Sequence, residues 1–197
     1  MNNNEKLTVL IHEHNGLILT KQVSEAGIAR TYITKFVESG MLERLDRGVY
    51  ITKDSNDDAM YRLQMKYEPV VFSHDSALLL YDLTDRDPLS YSVTVPEGYN
   101  AKNIKELGVK VYSVKKELYN LGLTTGKTIY GRDIKCYNME RTICDVIRSR
   151  SQMDIAILTD AIKRYSKRKE KNLPLLMRYA ESFQVTKLLR NYLEVLL

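Results

Sequence analysis

The sequence predicts an α+β fold: a small N-terminal module of helices and one hairpin, then a mixed α/β domain with a helical C-terminal tail. Within the first fifty residues, apolar residues recur at helical spacing in segments that are separated by glycines, and two short strand-like runs follow these segments. Alternating strand patterns such as YSVTV fill the middle of the chain, and helical spacing takes over from Asn138. With 197 residues, 44% hydrophobic and 28% charged, the chain has the composition of one or two globular domains. We place these domains at 1–53 and 59–197, with the polar linker 53–58 between them.

The N-terminal module begins with a helix over Asn4–His14, where leucine and isoleucine recur at helical spacing. A short apolar run, Leu17–Leu19, predicts a strand. Thr20 is a good N-cap for a second helix over Lys21–Ala26. Gly27 then ends that helix, because glycine accepts a positive φ at low cost.

A third helix is predicted over Ala29–Ser39, with its apolar residues on one face and Gly40 at its end. Two strands, Met41–Leu45 and Val49–Thr52, follow it and are joined by the tight turn DRG. Helix, glycine-containing turn, helix and hairpin is the order of a winged helix-turn-helix. The sequence therefore predicts this module at the N-terminus.

The polar face of the third helix has the chemistry to contact DNA bases. A helix fits the major groove, and an arginine such as Arg30 can grip guanine with two hydrogen bonds. A hairpin tip that carries Arg47 would meet phosphate or the minor groove. The candidate DNA-contacting residues are Arg30, Thr31, Tyr32, Thr34, Lys35, Arg44, Arg47, Thr20, Lys21 and Gln22. The alternative is a protein-binding winged helix that never contacts DNA, because a fold does not fix a function.

The second domain should contain strands and helices that share one mixed sheet. Its first part is predicted as helix Ala59–Tyr67 (capped by Ser55 or Asn56), strand Val70–Ser73, helix Asp75–Tyr81, strands Tyr91–Val95 and Val109–Val114, and a hairpin of Thr128–Tyr130 with Ile134–Tyr137. Its tail is predicted as the helices Asn138–Ser149, Met153–Lys169, Leu175–Ser182 and Val185–Leu196.

Motifs for catalysis, metals and cofactors are weak, and we predict no enzyme activity, no cofactor and no metal site. His12 and His14 are two residues apart on a helix, so they point to different faces. His74 is better explained as a hydrogen-bonded side chain, and Asp75 as a helix cap, than as a catalytic pair. The run around Gly126 resembles a phosphate loop, but it precedes a hairpin and lacks the helix N-terminus that a phosphate needs.

The sequence also predicts the cellular compartment and whether the chain spans a membrane. No apolar run approaches the roughly 20 residues of a membrane helix, and MNNNEKL has no signal-peptide core. We therefore expect a cytoplasmic protein without a membrane partner. Cys136 and Cys144 are expected to be buried, reduced thiols.

Positive charge concentrates at the C-terminal end. Residues 141–197 hold twelve basic and six acidic residues, whereas residues 1–52 hold six of each. The densest run is KRYSKRKEK, which starts at Lys163. It is either a solvated helix end or a phosphate- or RNA-contacting surface. The candidates for the latter are Lys163, Arg164, Lys167 and Arg168.

These blocks together resemble the AbiEi family, the antitoxins of type IV abortive-infection toxin–antitoxin systems. The resemblance rests on LILTKQVSEAGIARTYITKFVESGMLERLDRGVYI, then VVFSHDSALLLYDLTDRDP, YSVTVPEGYN and NMERTICDVIR, in that order. It implies an N-terminal winged helix that represses its own operon by binding inverted repeats in the promoter. Carried over by position, the reading residues are Arg30, Thr31, Thr34 and Lys35, with Arg47 in the wing.

The resemblance also implies that the C-terminal domain counters a cognate nucleotidyltransferase toxin without forming a stable complex with it. The substrate tRNA of such a toxin is one ligand that the basic segment could bind. The alternative for the whole chain is a transcriptional regulator whose C-terminal domain senses a partner or a ligand.

Overall fold

The computed structural model describes residues 1–196, which form two compact units. The first unit comprises Met1–Lys66 together with Thr128–Arg132. The second comprises Tyr67–Lys127 and the chain from Asp133 onward. The fold is thus a mixed α+β architecture with two sheets, as predicted.

The first unit contains helices around a three-stranded antiparallel sheet of order β1-β3-β2. Its elements are α1 (Asn3–Glu13), β1 (Leu17–Leu19), α2 (Thr20–Glu25), α3 (Thr31–Glu38), β2 (Glu43–Asp46), β3 (Val49–Ile51) and α4 (Ala59–Lys66). Its apolar core is formed by Leu7, Ile11, Ile18, Val23, Ile28, Ile33, Phe36 and Leu42. Each predicted helix and strand of this segment is present, with ends that differ from the prediction by at most two residues.

The start of α2 differs from the prediction that Thr20 is its N-cap. Leu19 holds the cap position, and its backbone N–H donates to Oε1 of Gln22 at 2.8 Å. Thr20 is already helical, and its hydroxyl donates to the carbonyl of Gly48 at 3.4 Å. Gln22 thus accepts from the backbone N–H of the cap residue, which is the reciprocal half of a capping box.

Helix α4 belongs to the first unit, so the structure does not divide the chain at 53–59. The buried carboxylate of Asp58, and not Ser55 or Asn56, caps this helix by accepting from the N–H of Tyr61 at 3.0 Å. The hydroxyl of Tyr61 in turn contacts Nδ1 of His14 at 2.7 Å. These buried contacts make α4 part of the N-terminal core.

The second unit has a five-stranded mixed sheet of order β6-β5-β4-β8-β7. The pairs β5–β6 and β4–β8 are parallel, whereas β4–β5 and β7–β8 are antiparallel. Its elements are β4 (Val71–Phe72), α5 (His74–Leu80), β5 (Ser92–Pro96), α6 (Lys102–Glu106), β6 (Lys110–Val114), α7 (Lys116–Tyr119), β7 (Leu123–Lys127), β8 (Asp133–Tyr137), α8 (Met139–Arg148), a 3-10 turn (Arg150–Gln152), α9 (Ile155–Lys167), α10 (Leu173–Ser182) and α11 (Thr186–Leu196).

Two details of this unit correct the sequence prediction. The first strand of the hairpin is Leu123–Lys127, and not Thr128–Tyr130, which lies in the turn. The turn is closed by the N–H of Thr128, which donates to the carbonyl of Arg132 at 2.9 Å. Asp75 does not cap α5, because the helix already includes His74 and has no side-chain cap.

The helical tail packs around α8, which is buried along most of its length. Within it, the fully buried guanidinium of Arg141 lies 3.0 Å from both carboxylate oxygens of Asp145. Both cysteines are buried and unpaired, as predicted. Among residues 1–196, no helix combines the length and the apolar character that crossing a membrane requires.

Candidate nucleic-acid interface

The two helices α2 and α3 meet at a tight turn whose backbone requires glycine. Gly27 has a φ of +69°, and the following Ile28 is buried in the core between the helices. Ile33 and Phe36 bury the inner face of α3. The outer face of this helix is therefore left exposed.

That outer face carries most of the residues that are predicted to contact DNA bases. Thr31, Thr34 and Lys35 are exposed. Tyr32 is half-buried and packs against the core, and the ammonium of Lys35 lies 5.1 Å from its ring centroid. Tyr32 thus supports Lys35 by a cation–π contact while leaving the ammonium accessible.

Arg30 is exposed at the N-cap position of α3, because the helix begins two residues later than predicted. Its Nε donates to the hydroxyl of Ser24 on α2 at 3.4 Å. Its two terminal nitrogens form no hydrogen bond within the described part of the chain. Bidentate contact with guanine O6 and N7 requires this pair of nitrogens. The sequence pattern did not indicate Ser24, because a contact across the turn has no periodic signature.

The hairpin carries the remaining predicted cations. Every residue of β2 is exposed, and Arg44 donates from Nε to the carbonyl of Asp46 at 3.2 Å. Arg47 is exposed at the tip, where its backbone N–H donates to the carboxylate of Asp46 at 2.6 Å. This hydrogen bond, helped by Lys66, lowers the pKa of Asp46. An ionised Asp46 fixes the turn and leaves the Arg47 guanidinium facing solvent.

Comparison with known proteins identifies this region. A family model described as "Transcriptional regulator, AbiEi antitoxin" matches residues 5–52, which run from α1 to just beyond β3. This segment is therefore similar to the AbiEi antitoxin family of transcriptional regulators. The match ends before α4, so the family likeness of the rest of the chain stays a prediction.

A solved structure shares the fold over nearly the whole chain. The crystal structure of the RV2827C protein from Mycobacterium tuberculosis superimposes with a TM-score of 0.59, covering 94% of this chain and 74% of that chain, at 13% identity. At this identity the likeness concerns fold alone. A comparison with curated proteins gives no match.

The remaining candidates, Thr20, Lys21 and Gln22, lie at the start of α2. Lys21 is exposed and pairs with Glu25 at 3.7 Å. Gln22 is half-buried, and its amide nitrogen lies 3.3 Å from His14 Nδ1. Thr20 is half-buried as well. Gln22 therefore holds α2 in place from within the unit.

The four basic candidates in the second unit differ in their surroundings. Arg164 pairs with Asp160 at 2.6 Å and with Asp85 at 3.2 Å. Arg168 donates to the carbonyl of Tyr81. Two of the four are thus neutralised or held by neighbouring groups, whereas Lys163 and Lys167 are exposed. The spacing of the basic residues could not predict that Asp85 lies close to Arg164, or that the carbonyl of Tyr81 lies close to Arg168.

Proposed function

We propose that the first unit is a winged helix-turn-helix that binds promoter DNA through α3 and the β2–β3 hairpin. The observation that carries this proposal is the exposed outer face of α3, whose inner face is buried. The exposed residues at its N-cap and on this face are Arg30, Thr31, Thr34 and Lys35. The family match of residues 5–52 to transcriptional regulators supports it.

The chemistry of each side chain determines which part of the DNA we expect it to contact. Arg30 reads guanine through its two terminal nitrogens, while Thr31 and Thr34 offer hydroxyls to bases or phosphates. Lys35 and the hairpin arginines Arg44 and Arg47 contact phosphates. The segment as a whole is electrically balanced, so affinity depends on these local cations.

The regulated promoter is the chain's own, by likeness to AbiEi antitoxins. Two copies bound to an inverted repeat would occupy half-sites about 34–36 Å apart, which is one turn of DNA. Such binding represses transcription of the operon.

The test is binding of the purified chain to a duplex from its own promoter, measured by fluorescence anisotropy against a shuffled duplex. Arg30→Ala should weaken binding by about 1–3 kcal/mol and relax the preference at one base position. Lys35→Ala should weaken binding to both duplexes alike and reduce its salt dependence.

A matched control removes two exposed charges from the second unit, Arg178→Ala with Lys187→Ala. It should bind the promoter duplex like wild type. Full-strength, sequence-specific binding by Arg30→Ala combined with Lys35→Ala would exclude α3 as the reading helix.

For the second unit we propose antitoxin activity against a nucleotidyltransferase toxin, without a stable complex. The description of the matched family as antitoxins supports this proposal. Contact with tRNA would then fall to the exposed Lys163 and Lys167, with Arg164 and Arg168 in supporting roles. If changing both lysines to alanine leaves rescue from the co-transcribed toxin intact, these side chains are only solvated surface.

The competing function is a regulator whose second unit senses a partner or a ligand. It predicts that promoter binding changes when that partner or ligand is added, and that no toxin is rescued. Co-expression of the chain with a neighbouring nucleotidyltransferase gene therefore separates the two functions.

A further inference from the structure

A cavity of about 620 Å³ opens on one face of the second unit, where the parallel strands β5 and β6 lie side by side. Residues of both strands line it, together with residues from 99 to 106, which belong to the segment that joins the strands. The cavity therefore lies wholly within the second unit. Its volume is in the range of pockets that hold small organic molecules, which is roughly 300–1,000 Å³.

The floor of the cavity is formed by side chains that share one face of the sheet. Val95 pairs with Ser113 across the two strands, and Val111 lies two residues before Ser113 on β6. Because side chains alternate between the two faces of a strand, these three point to the same side. Val95 is buried and Val111 is half-buried, whereas Ser113 is exposed. The floor is therefore mostly apolar and carries one hydroxyl group.

The turn after β5 brings an aromatic residue and an amide to the rim of the cavity. The N–H of Tyr99 donates to the carbonyl of Pro96 at 3.1 Å, which closes the turn. Tyr99 is half-buried and lines the cavity. Oδ1 of Asn100 accepts from the N–H of Lys102 at 3.1 Å, so the amide nitrogen of Asn100 is available as a donor. The rim thus offers an aromatic ring and a hydrogen-bond donor.

The charged residues that line the cavity leave one positive charge uncompensated. Lys102 and Glu106 are one turn apart on α6, and the ammonium lies 4.0 Å from the carboxylate. Lys105 also lines the cavity, is exposed, and forms no ion pair in the described part of the chain. Helix α6 has only five residues, so its dipole compensates this charge little. An ammonium beside an apolar floor favours a ligand that carries a negative charge.

We propose that this cavity binds a small organic anion in which a planar ring carries the negatively charged group. The ring lies on the floor of Val95 and Val111, beside Tyr99, and the charged group accepts hydrogen bonds from Lys105 and Asn100. Nucleoside monophosphates and aromatic carboxylates share this chemistry. The site does not depend on promoter binding by the first unit.

The test is a titration of the 15N-labelled full chain with two anions and their neutral counterparts, followed by amide chemical shifts. The pairs are adenosine monophosphate with adenosine, and indole-3-acetate with indole-3-acetamide. At least one anion should bind with a Kd of about 1 mM or below, and the largest shifts should fall on residues 95–113. Its neutral counterpart should bind roughly tenfold more weakly, because a charge-assisted hydrogen bond is lost. The anion that binds more tightly identifies the source.

Three variants locate the site. Lys105→Ala should weaken binding of the anion roughly tenfold and leave binding of the neutral counterpart unchanged. Ser113→Phe places an aromatic ring at an exposed strand position and fills the cavity, so it should abolish binding of both. Lys116→Ala removes an exposed lysine of α7 outside the cavity and should bind both like wild type. Because Lys105 is exposed, its variant tests the site even if Ser113→Phe destabilises the sheet.

Several outcomes would overturn the proposal. These are the failure of both anions to bind wild type, equal binding of each anion and its neutral counterpart, or unchanged binding of the anion by Lys105→Ala. Equal weakening by Lys116→Ala would mean that general charge, and not this cavity, attracts the anion. Promoter binding is measured separately, so its failure would leave this result unaffected.

Discussion

Single buried polar residues set the chemical character of the second unit. His74 is neutral because its burial and the nearby cations both oppose protonation. Arg141, in contrast, lies beside Asp145 and 3.9 Å from the centre of the Tyr137 ring. The surroundings of His74 favour its neutral form, so a change of pH acts on this residue as a change of stability.

His74 should make the protein less stable in acid. Its pKa is lowered from 6.5 to about 3 on folding, so between these values the unfolded chain binds a proton that the folded chain rejects. The free energy of unfolding should therefore fall as pH drops below 6.5, by up to about 1.4 kcal/mol per unit from this residue. This contribution is fully present above pH 6.5.

The measurement is urea unfolding at several pH values for wild type and His74→Asn. The variant should show a smaller loss of stability between pH 6.5 and 4, since the titrating ring is gone. Parallel curves for the two proteins would mean that His74 does not carry this pH dependence.

At the scale of elements, glycines define where helices and strands turn. Gly122 precedes β7 with a φ of +76°, and a Cβ there would lie 2.6 Å from Cβ of Arg141. Gly98 follows β5 with a φ of +86°, but a Cβ there would meet no atom within 4 Å. Both positions therefore have a positive φ, which favours glycine, but only at Gly122 would a Cβ collide with neighbouring atoms.

Gly122→Ala should therefore destabilise the protein more than Gly98→Ala. Both substitutions strain the backbone by about 1 kcal/mol, but only the first also displaces the buried Arg141. Thermal unfolding of the two variants makes the comparison directly. Equal shifts in Tm would mean that the loop before β7 yields to the added methyl group.

The elements that the sequence predicted are those with a strong period or cap. Helix α8 follows from its apolar spacing and from Asn138, whose side chain accepts from the N–H of Arg141. Helices α6 and α7 were missed because five and four residues give too few turns for a period. Leu158, Ile162 and Tyr165, which recur at helical spacing in α9, are buried. Ile155 continues this spacing but is 60% exposed, because it lies in the first turn.

The candidate interface was partly predictable for a similar reason. Exposed residues of an amphipathic helix, such as Lys35, follow from the period of their buried neighbours. The inward orientation of Gln22 and the contact of Ser24 with Arg30 depend on tertiary neighbours, which periodicity does not contain. The neutralisation of Arg164 by Asp85 likewise joins residues far apart in sequence.

At the scale of the whole molecule, the first unit is discontinuous in sequence. Arg132, which is 3% exposed, donates to the carbonyls of Asn15 at 2.8 Å and Asn56 at 3.1 Å. It also lies 3.4 Å from the carboxylate of the buried Asp58, which accepts from the hydroxyl of Thr128 at 2.6 Å. Residues distant in the chain therefore complete the N-terminal unit.

Arg132→Ala should strongly destabilise the first unit. It leaves the carboxylate of Asp58 buried without its cation, which typically costs about 3–5 kcal/mol. Urea unfolding can be compared with Lys102→Ala, which breaks an exposed 4.0 Å pair with Glu106 and should cost less than about 1 kcal/mol. Similar losses in both variants would show that Arg132 is dispensable to the unit.

The central claim is that α3 and the hairpin of the first unit contact promoter DNA. Amide chemical shifts of the 15N-labelled chain, recorded with and without its promoter duplex, locate that contact directly. The largest changes should fall on residues 30–35 and 44–47 and should be much smaller with a shuffled duplex. Changes confined to residues outside the first unit, or equal for both duplexes, would contradict the claim.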